Sequence, residues 1–338
     1  MPTSTHLEKQ ILATVIYYDI LDYPLTSFEV FLYLVKENYE SLQFGGQARI
    51  TNYELSDVCE LLNTSEYLKK HIDQKLGFYF LKNRTNIVQQ RLNRKKLADQ
   101  KWKKIKKIFW IMQILPFIKM VLVSGSLAIG NSKNESDIDL IIVAKKGRIW
   151  MVRTFVTLLT SVLGVRRHGD KTENRICLNH YITDKSLRIP FESLYNAQSY
   201  LHLINVYNSK KDEKLFKNFQ EENKWISKYV QNYEYSKLGS FRSIKRNRIF
   251  SLISKFFEFI LFGKIGNYFE GKLSQIQSKR IKMDKLYKKS RGRITISNSQ
   301  LEFHPSSHEA NIIPEFNRRM KKLELFEFGE QKDSGLNK

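Results

Sequence analysis

The chain has 338 residues, 42% of them apolar and 27% charged, so it can bury a core and is not a disordered polyelectrolyte. Its two cysteines, Cys59 and Cys177, are far apart, which excludes a disulfide framework and a cysteine zinc site. Lysine and arginine number 57 against 34 acids, a net charge of +23 that favours polyanionic partners.

The N-terminal MPTSTHLEKQ lacks a basic stretch followed by an apolar core, so no signal peptide is expected. Residues 7–19 place apolar side chains at helical spacing and end at Asp22-Tyr23-Pro24. Thr26 with Glu29 predicts a capping box that opens a second helix to about Lys36, and Thr51 with Glu54 predicts a third to about Asn63. Two β-like runs follow, Tyr67–Asp73 and Gly77–Lys82. Three helices and a hairpin are the element order of a winged helix.

Residues 84–118 read as one long basic helix with apolar positions such as Ile87, Val88, Trp102, Ile105 and Phe109, ended by Pro116. Residues 119–184 then read as strand (119–123), small-residue turn, strand (137–143), helix (148–163) and strand (175–182). Residues 190–290 read as a string of helices rich in Phe and Tyr, whose aromatics, Phe250 and Phe256 among them, are expected in a core. Arg293–Ser297 is β-like, and 315–325 is a last helix. The fold class expected is α+β. A winged-helix-like module spans 1–83, a basic linker helix 84–118, an α/β domain 119–189 and a helical C-terminal domain 190–330, with a disordered tail at 331–338.

The charge excess is concentrated. Residues 82–107 hold 11 bases and one acid, and residues 242–293 hold 15 bases and three acids. Both segments are candidate contacts for RNA or DNA. The longest apolar run, Ile249 to Phe262, contains Lys255 and Glu258 and falls short of the about 20 residues of a bilayer span, so no membrane span and a cytoplasmic location are expected.

The chemistry-bearing segment is Val121–Val143. Gly125-Ser126 follows an apolar strand, and ten residues later Asp137-Ile138-Asp139-Leu140 opens another. Side chains alternate along a strand, so Asp137 and Asp139 share one face and Ile138 and Leu140 the other. Two carboxylates so placed repel each other unless a cation lies between them, and a divalent metal with substrate phosphates resolves the conflict. The Gly-Ser turn offers backbone amides to a triphosphate, with Ser126 adding a hydroxyl and Lys133 standing in the intervening loop.

This pattern resembles that of the nucleotidyltransferase superfamily, which includes DNA polymerase beta, polyA polymerases and CCA-adding enzymes. The resemblance covers about 60–65 residues. The whole chain is also similar to bacterial proteins with this domain that carry a segment like Tyr18–Thr26 before it and one like Leu301–Pro305 after it. The resemblance implies metal-dependent transfer of a nucleoside monophosphate from an NTP to a hydroxyl or phosphate acceptor. It implies that Asp137 and Asp139 hold Mg2+ or Mn2+, and that Gly125 and Ser126 hold phosphates, with Lys133 beside them. Members of the family add a third carboxylate on a later strand. Here the strand Ile176–Ile182 has no acid; Asn179 takes that metal-site position, and Asp170, Glu173 and Asp184 in the flanking loops are the alternatives. The missing acid sets a second expectation beside the first, a catalytically impaired protein of the same fold that binds nucleotide or nucleic acid.

Overall fold

The computed structural model describes residues 5–37, 53–169, 171–209, 214–233, 242–283, 293–304 and 308–326. The chain is α+β with two sheets. The first sheet belongs to the N-terminal segment. Helix α1 (His6–Ile20) starts at Thr5, whose side chain and that of Glu8 cap each other's backbone. Strand β1 (Leu25–Thr26) leads into helix α2 (Ser27–Leu32), opened by the Thr26–Glu29 capping box. Helix α3 (Leu55–Thr64) begins at Glu54, whose amide donates to the Asp57 carboxylate. Thr51 lies outside the described residues. The first β-like run is in part the short helix α4 (Glu66–Lys69), because Ser65 caps it. Strands β2 (Ile72–Lys75) and β3 (Phe78–Leu81) complete a sheet in the order β1-β3-β2.

Helix α5 (Asn86–Met112) then crosses to the larger sheet, burying Ala98, Trp102, Ile105 and Phe109. That sheet has six strands, in spatial order residues 204–208, 118–123, 138–144, 176–183, 300–304 and 293–296. Strand β4 (Ile118–Val123) is antiparallel to β5 (Ile138–Ala144), and β5 is parallel to β6 (Ile176–Thr183) through helix α7 (Ile149–Val162). A four-residue helix, α6 (Gly125–Ala128), forms the turn after β4. The other three strands come from beyond residue 190: β7 (Ile204–Asn208), which interrupts the expected run of helices, and β8 (Arg293–Ile296) with β9 (Gln300–His304).

One face of the sheet presents Ile138, Leu140 and Ile142 to α5 and α7. The other presents Ile141, Val143 and Ile182 to helix α8 (Leu194–Leu201), helix α9 (Leu215–Glu222) and the 3-10 turn Lys224–Lys228. Helix α10 (Arg248–Ile260) and helix α11 (Gly263–Met283) follow, and α11 packs on α7. The aromatics expected there in a core are largely at the surface: Phe256 is 60% and Phe259 81% exposed. Helix α12 (Glu309–Lys322) returns to α1, with Phe316 edge-on to Tyr17 and Arg319 bonded to Asp19 at 2.7 Å. Among the described residues no helix is long and apolar enough to cross a membrane.

Candidate functional site

Strand β4 ends at Val123, and the chain turns at Gly125 with a φ of +66°, a value that favours glycine. The turn lies directly over β5: a Cβ on Gly125 would come 2.5 Å from Asp139 Oδ2. The Ser124 amide donates to the Asp139 carbonyl at 3.0 Å, and the Asn131 amide to the Ser126 carbonyl at 2.8 Å. The Gly125 turn therefore sits against Asp139. Lys133 is exposed, in the loop, where its amide donates to Ser136 Oγ at 3.0 Å.

Three side chains, Asp137, Asp139 and Cys177, bring ligand atoms within 4.8 Å of one another. Burial, together with the Asp137 charge, pushes the Asp139 carboxyl up to about 7, with Arg167 opposing. Arg167 Nη1 lies 2.5 Å from Asp137 Oδ2 and 3.6 Å from Cys177 Sγ, so its guanidinium balances the paired acids. Burial and then the two aspartates push the Cys177 thiol well above its usual range, which keeps it a neutral thiol. Tyr195 of α8, which packs against the N-terminal core, feels the same charge: burial and then Asp139 raise its phenol to about 12. The donor set fits a divalent cation, since two half-buried carboxylates share an edge and one is destabilised by the other.

Asn179, the expected third metal position, lies on β6 two residues beyond Cys177. Asp139 pairs with Cys177 across the parallel strands, but Ile141 pairs with His180, so Leu140 stands opposite both Leu178 and Asn179. This bulge changes the alternation along β6: Tyr181 faces the α5–α7 core and Ile182 the α8 side. Cys177, rather than Asn179, is the neighbour of Asp139. Asp184 is excluded by position, because its amide bonds to Ala144 at the far end of β5 and its carboxylate accepts from the Lys146 amide at 2.8 Å. Glu173 is exposed and accepts from Asn174, and Asp170 lies outside the described residues.

The flanking segments have structural work at this site. Tyr23 donates to the Ile129 carbonyl at 2.8 Å, and Asn131 Nδ2 to the Leu21 carbonyl at 2.9 Å, so the segment Tyr18–Thr26 holds the loop behind Gly125. Arg94 Nη1 adds a bond to Asn131 Oδ1 at 3.0 Å. Lys101 of α5 donates to the carbonyls of Asn134 (3.1 Å) and Ser136 (2.6 Å), just before Asp137. Leu301–His304 lies in β9, whose Glu302 is buried opposite His180 and 3.6 Å from Arg293, and Pro305 lies outside the described residues. Sequence reasoning missed Cys177 and Tyr195. The position of Cys177 within the strand two residues before Asn179 was the one available signal, and Tyr195 gave none.

Comparison with protein-family models, with curated proteins and with solved structures finds no match to this chain.

Proposed function

We infer that the chain is a metal-dependent nucleotidyltransferase that moves a nucleoside monophosphate from an NTP to an acceptor hydroxyl or phosphate. The observation that carries this reading is the placement of Gly125 against Asp139, with Asp137 on the same edge. It supports a polymerase-beta-type domain built on β4 to β6, and the β1-β3-β2 sheet beside α1 to α3 supports a winged-helix-like module in front of it. In the reaction, the acceptor oxygen forms a bond to the α-phosphorus, the bond to the bridging oxygen breaks, and pyrophosphate leaves with its electron pair. Asp137 and Asp139 would hold Mg2+ or Mn2+, which supplies charge neutralisation at the phosphates and lowers the acceptor's pKa. The free amides around Gly125 and Ser126 orient the triphosphate. Arg167, 42% exposed and seated on Asp137, reaches the same space and can turn to a phosphate oxygen. The exposed lysines of α5, Lys103, Lys104, Lys106 and Lys107, support a nucleic-acid acceptor.

A second reading, nucleotide binding without turnover, is favoured by the acid-free strand Ile176–Ile182 and by Cys177, since a neutral thiol beside Asp139 cannot accept the acceptor's proton at neutral pH. A panel of α-labelled NTPs with Mg2+ or Mn2+ and with RNA, DNA and protein acceptors separates the two. Transfer of label that is lost in Asp137→Ala/Asp139→Ala supports the enzyme. Metal-dependent NTP binding in calorimetry without transfer supports the second reading, and equal NTP affinity in wild type and double variant overturns both.

A further inference from the structure

The helices α10 and α11 form a surface that the carboxylate site does not use. α10 lies against the opposite end of β4 from Gly125: Glu258 accepts from the Phe117 amide at 2.8 Å, and Ser254 donates to the Leu115 carbonyl at 3.1 Å. Glu258 and Ser254 of α10 thus face inward, and its apolar stripe, Ile249, Leu252, Phe256 and Phe259, faces outward at 60–81% exposure. The stripe continues onto α11 with Ile265 and Tyr268, both more than half exposed. Gly266 fixes the corner between the helices, because a Cβ there would collide with the Leu261 carbonyl. Of the 19 large apolar side chains exposed among the described residues, 11 lie in these two helices and Phe262 lies in the turn between them.

The charge on this surface has one sign. Residues 242–283 contain ten bases and two acids. Both acids are turned inward, Glu258 onto Phe117 and Glu270 onto the amides of Trp150 (3.0 Å) and Met151 (2.9 Å) at the start of α7. Lys255 and Lys264 are exposed among the aromatic rings. We propose that the outward face of α10 and α11 docks on the surface of an anionic lipid bilayer, with the aromatic and aliphatic stripe in the interface and the lysines and arginines at the headgroups. An amphipathic helix with bulky apolar residues on one face and basic residues at its margins has this mode of binding. The alternatives meet the chemistry less well. A second copy would set one cationic face on another, and a nucleic-acid backbone would leave the apolar stripe in water.

The test is flotation of the full chain with vesicles of phosphatidylcholine alone and of phosphatidylcholine with phosphatidylglycerol. Retention is expected on the anionic vesicles, and Phe256→Ser/Phe259→Ser is expected to lower the partition coefficient at least about tenfold while leaving the melting temperature unchanged. Lys255→Glu/Lys264→Glu is expected to lower it as well, with the loss confined to anionic vesicles. No retention on anionic vesicles overturns the proposal, as does retention that the paired phenylalanine substitution does not change. Self-association or DNA binding that depends on Phe256 and Phe259, without vesicle retention, assigns the face to a second copy or to nucleic acid instead. Because neither substitution touches Asp137 or Asp139, a failure here leaves the NTP reading standing, and loss of NTP binding leaves this one standing.

Discussion

The two basic segments look alike as sequence and differ in three dimensions. Around α5 four of the eleven bases are turned into the protein. Arg84 lies 2.5 Å from Asp22, Arg91 2.6 Å from Glu29, Arg94 bonds Asn131, and Lys101 bonds the loop before Asp137. The apolar face of the same helix is closed by the sheet. Around α10 and α11 the arrangement is inverted, with the acids inward and the apolar stripe outside. A count of lysines and arginines therefore predicts a polyanion for both segments but does not say which bases are free to meet it. In α5 a good part of the charge positions the candidate site, and in α10 and α11 it borders an apolar surface.

The largest test of this contrast sets one aromatic against another. Trp102 is 2% exposed and its indole donates to the Leu127 carbonyl at 3.3 Å, so Trp102→Ala opens a cavity behind the Gly125 turn. The expected cost is about 3–5 kcal/mol in denaturant unfolding. Phe259→Ser, at 81% exposure, is expected to change stability by no more than about 0.5 kcal/mol. A cost for Phe259→Ser near that of Trp102→Ala would mean that the α10 stripe is part of a core.

A smaller effect separates the lysines. Lys101 is buried, and burial draws its ammonium below the usual lysine value, yet it holds two carbonyls of the loop that leads into Asp137. Lys101→Met leaves those carbonyls without a donor and is expected to cost about 1–3 kcal/mol. It should also weaken Mg-NTP binding in calorimetry, because the loop then positions Asp137 less well. Lys255→Met is expected to leave both quantities unchanged and to act on vesicle retention alone. If the two variants match in stability and nucleotide affinity, Lys101 is another solvated lysine and the contrast fails for charge.

How far the sequence was legible follows from how local each signal is. The alternation of Asp137, Ile138, Asp139 and Leu140 depends on one strand, and the strand, its face and the Gly125 turn were all readable. The bulge at Leu178-Asn179 depends on how β6 meets β5, so strand alternation alone could not say which residue of β6 pairs with Asp139. Strand β9 was missed because Gln300 and Glu302 look exposed by type, and they are buried only because Arg293 and His180 lie beside them. The helical pattern of α10 was readable too. Which way its apolar stripe points was not, since periodicity defines a face and leaves open what that face meets.

The smallest expected effect tests whether either basic segment accounts for the response to acid. Lysine and arginine keep their charge well above neutral pH, so neither segment should make stability depend on pH between about 4 and 7. Two buried imidazoles should. Burial lowers His202 to about 4, with Glu29 weakly opposing, and lowers His180 to about 3, with Arg293 adding to the effect. His202 is 2.6 Å from the Tyr18 hydroxyl and stands edge-on to Tyr33 at 4.4 Å. Each is neutral in the fold and titrates near about 6.5 when unfolded, so the unfolded chain binds the extra proton as pH falls. The imidazole contribution to stability is then complete above about 6.5 and declines toward pH 4, by about 1.4 kcal/mol per imidazole at pH 5.5, while Asp139, raised to about 7, works in the opposite direction. His202→Gln should flatten part of that decline in melts between pH 7 and 5, whereas Phe259→Ser should give a curve parallel to wild type. A decline unchanged in His202→Gln would place the acid response at other groups, and a decline reduced by Phe259→Ser would tie the outer face of α10 to the folded core after all.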